Sequence, residues 1–182
     1  MPPSAGILLV SAPALMDAHF KRSVVFLAQH DEGGTLGYVL NRPLSATLSE
    51  ILPDLYGFDA PLYWGGPCQN DTLHCLHTVG THIPGAAEIV EGVYWGGDFD
   101  TIRDLIIAGG AAAEDFRFFV GYAGWSEGQL ENEIKEQSWF LTDSSSEAVF
   151  TPSVKNFWTR TLKTMGGEFI AMASLPEHPS VN

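Results

Sequence analysis

"RSVVFLAQHDEGGTLGYVLNRP", residues 22–43, sets two runs of β-branched, aliphatic and aromatic residues on either side of an acidic turn with two glycines. Val24 to Leu27 and Leu36 to Leu40 suit a pleated, buried surface, and "DEGG" supplies the positive φ angles that a tight reversal needs. The pattern predicts a β-hairpin. Because its strands run in opposite directions, Arg22–Ser23 and Asn41–Arg42 meet at the same end of it, while His30 closes the first strand.

Working outward, "GILLVS" (6–11) reads as a buried strand and "APALMDAHF" (12–20) as turn-like. Thr47 and Glu50 have capping-box spacing, so a short helix is expected from about Ser45–Thr47 to just before Pro53. "APLYWGGP" (60–67), "TLHCLHTV" (72–79) and "EIVEGVYWG" (88–96) read as three strands, the last a single one. Asp98 can cap a helix over "FDTIRDLIIAGG" (99–110), with Gly109 placed to end it. "FRFFVGYAG" (116–124) and "SWFLTD" (138–143) return as strands. Val154, Phe157, Trp158, Thr161, Leu162 and Met165 recur at helical spacing until Gly166–Gly167. Hairpin-like neighbours dominate and helices do not alternate with strands. The fold class is therefore α+β, one domain over 1–182, with a mostly antiparallel, partly closed sheet.

The chain has 182 residues, 45% of them hydrophobic and 17% charged, enough for one sizeable core. The first residues are apolar but have no basic leader, and no segment approaches the ~20 apolar residues of a membrane span. A soluble, cytoplasmic protein is expected. Cys68 and Cys75 are too close in sequence to staple a scaffold. A formal net charge of −13 disfavours phosphate backbones and anionic lipid, so direct nucleic-acid binding is not expected. Lys155, Arg160 and Lys163, read as one face of the late helix, form the nearest approach to a basic patch.

"GYAGWSEGQLENEIKEQSW" (121–139) begins with glycines and rings and ends with helical character. Ser126 and Gln129 have capping-box spacing, and Glu131 with Lys135 suits an i,i+4 ion pair. The lead-in places Tyr122 and Trp125 at the same helix N-terminus, where exposed N–H groups can hold an anion or polar ligand. Glu127, Glu131 and Glu133 become acid/base candidates only with a raised pKa. Cys68, His74, Cys75, His77 and His82 invite a metal reading. Strand geometry separates His74 from His77, so no metal site is expected. Arg22, Ser23, Asn41 and Arg42 suggest an anion pocket, or else arginines buried against Asp or Glu. No nucleophile elbow, phosphate loop or dinucleotide fingerprint is present, and no cofactor is implied.

In order along the chain, "GILLVSAPALMDAHFKRSVVFLAQHDEGGTLGYVLNRPL", "YWGGP", "LHCLH", "FRFFVGYAGWSEGQLENEI", "SW" and "LPEHPSVN" resemble the AlgH/YqgE family of bacterial proteins. The resemblance implies a small barrel-like sheet surrounded by helices, in cytosolic proteins described as transcriptional regulators without an established activity. Carried over by position, Arg22, Ser23, His30, Asn41, Arg42, Gly65, Gly66, His77, Gly121, Tyr122, Trp125, Gln129, Leu130 and Glu131 match the family pattern. His74 and Cys75 stand where that pattern usually has apolar residues, which further weakens a metal site and leaves room for a role private to this chain.

The leading expectation is a regulatory, non-enzymatic protein that binds a small anionic ligand or a protein partner. Its ligand-binding candidates are Arg22, Ser23, Asn41, Arg42, Tyr122, Trp125 and Gln129. The second is a hydrolase-like enzyme with Glu131 or His30 as catalytic base and Arg22 or Arg42 stabilising negative charge. The third is a direct DNA-binding regulator, for which the basic residues are thin material.

Overall fold

The computed structural model describes residues 1–177; the last part of the "LPEHPSVN" match, residues 178–182, lies outside them. The hairpin forms as expected, from β2 (Val24–Asp31) and β3 (Gly34–Val39). Its register pairs Phe26 with Tyr38 and His30 with Thr35, with a bulge between Leu27 and Gln29. β1 (Ile7–Ser11) pairs antiparallel with β2, and β9 (Trp139–Asp143) pairs with the other side of β1. On the far side, β3 pairs with β8 (Phe116–Ser126), which continues to β5 (Cys68–His77) and receives the short β4 (Leu62–Trp64) in parallel.

Residues 88–96 are two strands rather than the expected one. β6 (Ala87–Val90) and β7 (Val93–Trp95) form a hairpin, because Gly92 takes φ 78° and reverses the chain. The strand order is β6-β7-β5-β8-β3-β2-β1-β9, with β4 off this path. The sheet curls until its ends approach one another. A Cβ on Gly6, just before β1, would lie 2.4 Å from Cγ1 of Val90 on β6. The molecule is thus a single α+β domain around a partly closed, mostly antiparallel sheet.

The period-two alternation of the strands sorts the side chains. One face presents Leu8, Val10, Phe26, Tyr38, Leu40 and Phe119 to Trp158 and Leu162 of α5 (Phe157–Met165). The other presents Leu9, Val25, Leu27, Val39 and Trp125 to Leu130 of α3 (Gln129–Lys135) and to Trp139. A third cluster gathers Phe116 and Phe118 with Leu48 of α1 (Leu48–Ile51) and Ile102 and Ile106 of α2 (Phe99–Ile107). Asp98 caps α2 by accepting from the Thr101 N–H at 3.1 Å, and the Glu50 carboxylate accepts from the Thr47 N–H at 3.1 Å ahead of α1. Two short helices had no clear periodicity, α4 (Ser146–Phe150) and α6 (Glu168–Ala173), the latter beginning directly after Gly167.

Candidate functional site

The hairpin's open end brings together Arg22, Ser23, Asn41 and Arg42, and the side chain of each donates to a backbone carbonyl. Asn41 accepts from the Val24 N–H at 3.0 Å and donates to the Arg22 carbonyl at 2.9 Å, clamping the two strands. Ser23 is fully buried and donates to the Phe20 carbonyl at 2.6 Å. Arg22 lies 4.6 Å over the Trp158 ring and donates to the Leu175 carbonyl at 2.5 Å. Arg42 donates to the Lys21 carbonyl. Neither arginine is in an ion pair with a described carboxylate, so the expected alternative of buried arginine–carboxylate pairs does not form. Glu177 approaches this end, pairing with Lys21 at 3.8 Å.

Of the four, Arg42 lines an open cleft of about 350 Å³, with Ala18, His19, Pro43, Leu44 and Trp64. The His19 and Trp64 rings stack at 5.8 Å and 18°. Burial disfavours the charged form of Arg42, and the nearby Glu177 carboxylate opposes that shift. His19 carried no sequence signal, because it falls in a segment read only as a turn. Trp64 lay inside a recognised strand without standing out.

An aromatic chain runs from this cleft to the glycine-rich segment. Phe20 stacks on Trp125 at 6.0 Å and meets Trp139 edge-on at 5.6 Å. Trp125 is 5% exposed and supports Phe20 from behind. Tyr122 and Trp125 do not share a helix N-terminus as expected. They are three residues apart on β8 and therefore point to opposite faces, Tyr122 against the core around Tyr38 and Trp125 against α3. Ser126 is the last residue of β8, and Gly128, at φ 73°, is the N-cap of α3. Half of the expected capping box survives, since Gln129 Oε1 accepts from the Ser126 N–H at 3.0 Å.

The Glu131 carboxylate lies 3.3 Å from His30 Nε2, and the other ring nitrogen of His30 bonds the Thr35 hydroxyl at 2.7 Å. This ties α3 to the closed end of the hairpin. Arg22 and Arg42 sit at the open end, roughly 25 Å away at ~3.3 Å per strand residue, so they cannot stabilise charge at His30 or Glu131. The hydrolase constellation is thereby taken apart. Glu133, on the inner side of α3, has its pKa raised by burial. The Trp125 and Trp139 indoles and the Gln129 amide act in the opposite direction, and Oε2 has no partner among the described residues.

On β5, His74 bonds the Tyr38 hydroxyl at 2.9 Å, while Cys75 packs in the cluster with Phe116 and Phe118, on the opposite face. His77 is fully buried, lies stacked on Tyr94, and bonds the Gly96 carbonyl at 2.7 Å. Among the described residues, no three His, Cys, Asp or Glu side chains converge as metal ligands. Lys155 precedes α5, and Arg160 folds over the Phe157 ring and bonds the Ser153 carbonyl.

A family model described as AlgH-like (DUF179) matches residues 8–170. The chain belongs to the AlgH-like family. A UPF0301 protein of Chlorobaculum tepidum is 44% identical over 97% of this chain and 95% of its own length. One from Bacteroides fragilis is 39% identical over 99% and 92%. The solution structure of AlgH from Pseudomonas aeruginosa superposes with a TM-score of 0.71 at 26% identity, covering 97% of this chain and 98% of that one. The crystal structure of DIP2367 from Corynebacterium diphtheriae, at 20% identity, shares the fold with a TM-score of 0.82 over 96% and 94%. Among the described residues of this AlgH-like chain, no helix is long and apolar enough to cross a membrane.

Proposed function

We propose that this AlgH-like protein is a regulatory binding protein whose ligand carries a carboxylate or phosphate on a flat body. Arg42 would receive the anion, and the His19–Trp64 stack would receive the flat part. The observation that carries this reading is the half-buried Arg42 guanidinium. It lines an aromatic cleft and has no ion-pair partner among the described residues, in a chain with a net charge of −13. Guanidinium groups favour planar anions through paired hydrogen bonds, and stacked rings add affinity with little ordering cost. Ser23 and Asn41 build the end of the hairpin that holds Arg42, and Trp125 stacks on Phe20, whose ring meets His19 edge-on.

The test is a titration with phenyl phosphate and benzoate, following the Trp64 indole and Arg42 side-chain resonances. Saturable shifts that weaken about tenfold or more in Arg42→Gln support the reading. Shifts that survive unchanged in that variant would place the anion elsewhere.

A further inference from the structure

A partly buried chain of hydrogen bonds crosses β7, β3 and β5, away from the Arg42 cleft. The Trp95 indole N–H can only donate, and it donates to the Tyr38 hydroxyl oxygen at 2.8 Å. The Tyr38 hydroxyl lies 2.9 Å from His74 Nδ1 and can donate its proton there. At the other side of the imidazole, Nε2 lies 2.9 Å from the Thr72 hydroxyl, whose own proton is committed to the Gln69 carbonyl at 2.7 Å. One state of His74 satisfies both ends of the chain together: neutral, with its proton on Nε2.

The Thr72 end of this chain closes an irregular piece of β5. Register passes from Cys68 opposite Tyr122 to Leu73 opposite Val120, so residues 69–72 bulge out over Gly121 alone. Gln69 takes a positive φ of 47° there, and Asn70 donates to the Pro67 carbonyl at 3.3 Å. The bulge stands beside a second cleft, of about 460 Å³, whose walls include Leu36, Cys68, Tyr122 and Gly124. The His74 ring meets the Tyr122 ring edge-on at 5.7 Å.

We propose that His74 is a proton-operated latch: neutral, it ties the 69–72 bulge to Tyr38 and Trp95; protonated, it keeps its Nε2–H bond to Thr72 but gives up Nδ1 as acceptor for Tyr38, which releases the bulge and the Tyr122 wall of the adjoining cleft from the Tyr38–Trp95 end of the chain. A proton on Nδ1 would face a hydroxyl oxygen that already accepts from Trp95, and the Tyr38 proton would lose its acceptor. The groups facing His74 are Tyr38 from β3, Tyr122 from β8, Trp95 of β7 acting through Tyr38, and Thr72 on its own strand. None carries charge at neutral pH. Asp71 is exposed in the bulge, and among the described residues no carboxylate pairs with His74. Burial also lowers the His74 pKa and raises that of Tyr38, in keeping with a neutral chain.

The experiment is an NMR titration of the full ¹⁵N-labelled chain from pH 8 to pH 5. The Nε2–H tautomer is expected at pH 8, with an imidazole pKa below the ordinary ~6.5. The Trp95 indole N–H should shift with the same midpoint, and amide exchange around residues 68–74 should quicken on the order of tenfold as His74 charges. Thr72→Val removes the Nε2 acceptor without introducing charge, and should loosen the bulge at pH 8 while leaving a smaller pH response. An Nδ1–H tautomer, or a Trp95 signal and bulge exchange that stay constant through the His74 titration, would overturn the latch.

Discussion

Asn41 shows how little of a motif residue's polarity is available to a ligand once the chain has folded. Both of its polar side-chain atoms, Oδ1 and Nδ2, bridge the strands of the hairpin. Asn41→Ala should therefore destabilise the fold by about 1–3 kcal/mol, read from urea unfolding. Glu133 poses the opposite case. Burial holds its pKa above the usual carboxylate value, so the folded state disfavours the charged form. That cost is present at neutral pH and disappears as pH falls through the raised pKa. Glu133→Gln should consequently raise Tm at pH 7, with the gain vanishing in acid. An unchanged Tm at pH 7 would mean that the Trp125 and Trp139 indoles fully compensate the buried charge.

The β4–β8 contact depends on Gly65 and Gly66 because no side chain fits there. A Cβ on Gly65 would come within 2.3 Å of the Gly121 carbonyl oxygen, and one on Gly66 within 2.1 Å of the Tyr122 carbonyl carbon. Either glycine to alanine should destabilise by more than the ~1 kcal/mol of an ordinary backbone effect, since the obstructing atoms are backbone. β5 contributes a pH dependence. Burial lowers the pKa of both His74 and His77, so the unfolded chain binds protons that the folded chain refuses. Their contribution is fully present above ~6.5 and declines as pH falls below it. The urea midpoint should drop between pH 7.5 and pH 5, and the drop should shrink in His74→Leu.

For the molecule as a whole, a net charge of −13 implies self-repulsion that salt relieves, so Tm should rise with moderate sodium chloride. The α+β class and the hairpin were legible because alternation and turn chemistry are local. The β6–β7 hairpin was missed because "EIVEGVYWG" is apolar on both sides of Gly92, and only the backbone shows the reversal. The meeting of Arg22, Ser23, Asn41 and Arg42 followed from antiparallel pairing. The contribution of His19 did not, because a turn segment has no periodicity to aim a ring at Trp64. Nor could spacing show that Tyr122 and Trp125 part to opposite faces until β8 was known to run as far as Ser126. The measurement that bears most directly on anion binding at Arg42 is calorimetric titration of phenyl phosphate into the wild-type chain and Arg42→Gln, with matched salt. The account predicts saturable binding to the wild type, weakened about tenfold or more in the variant and weaker again for inorganic phosphate, which has no ring to stack. Equal binding to both proteins, or none to the wild type, would contradict it.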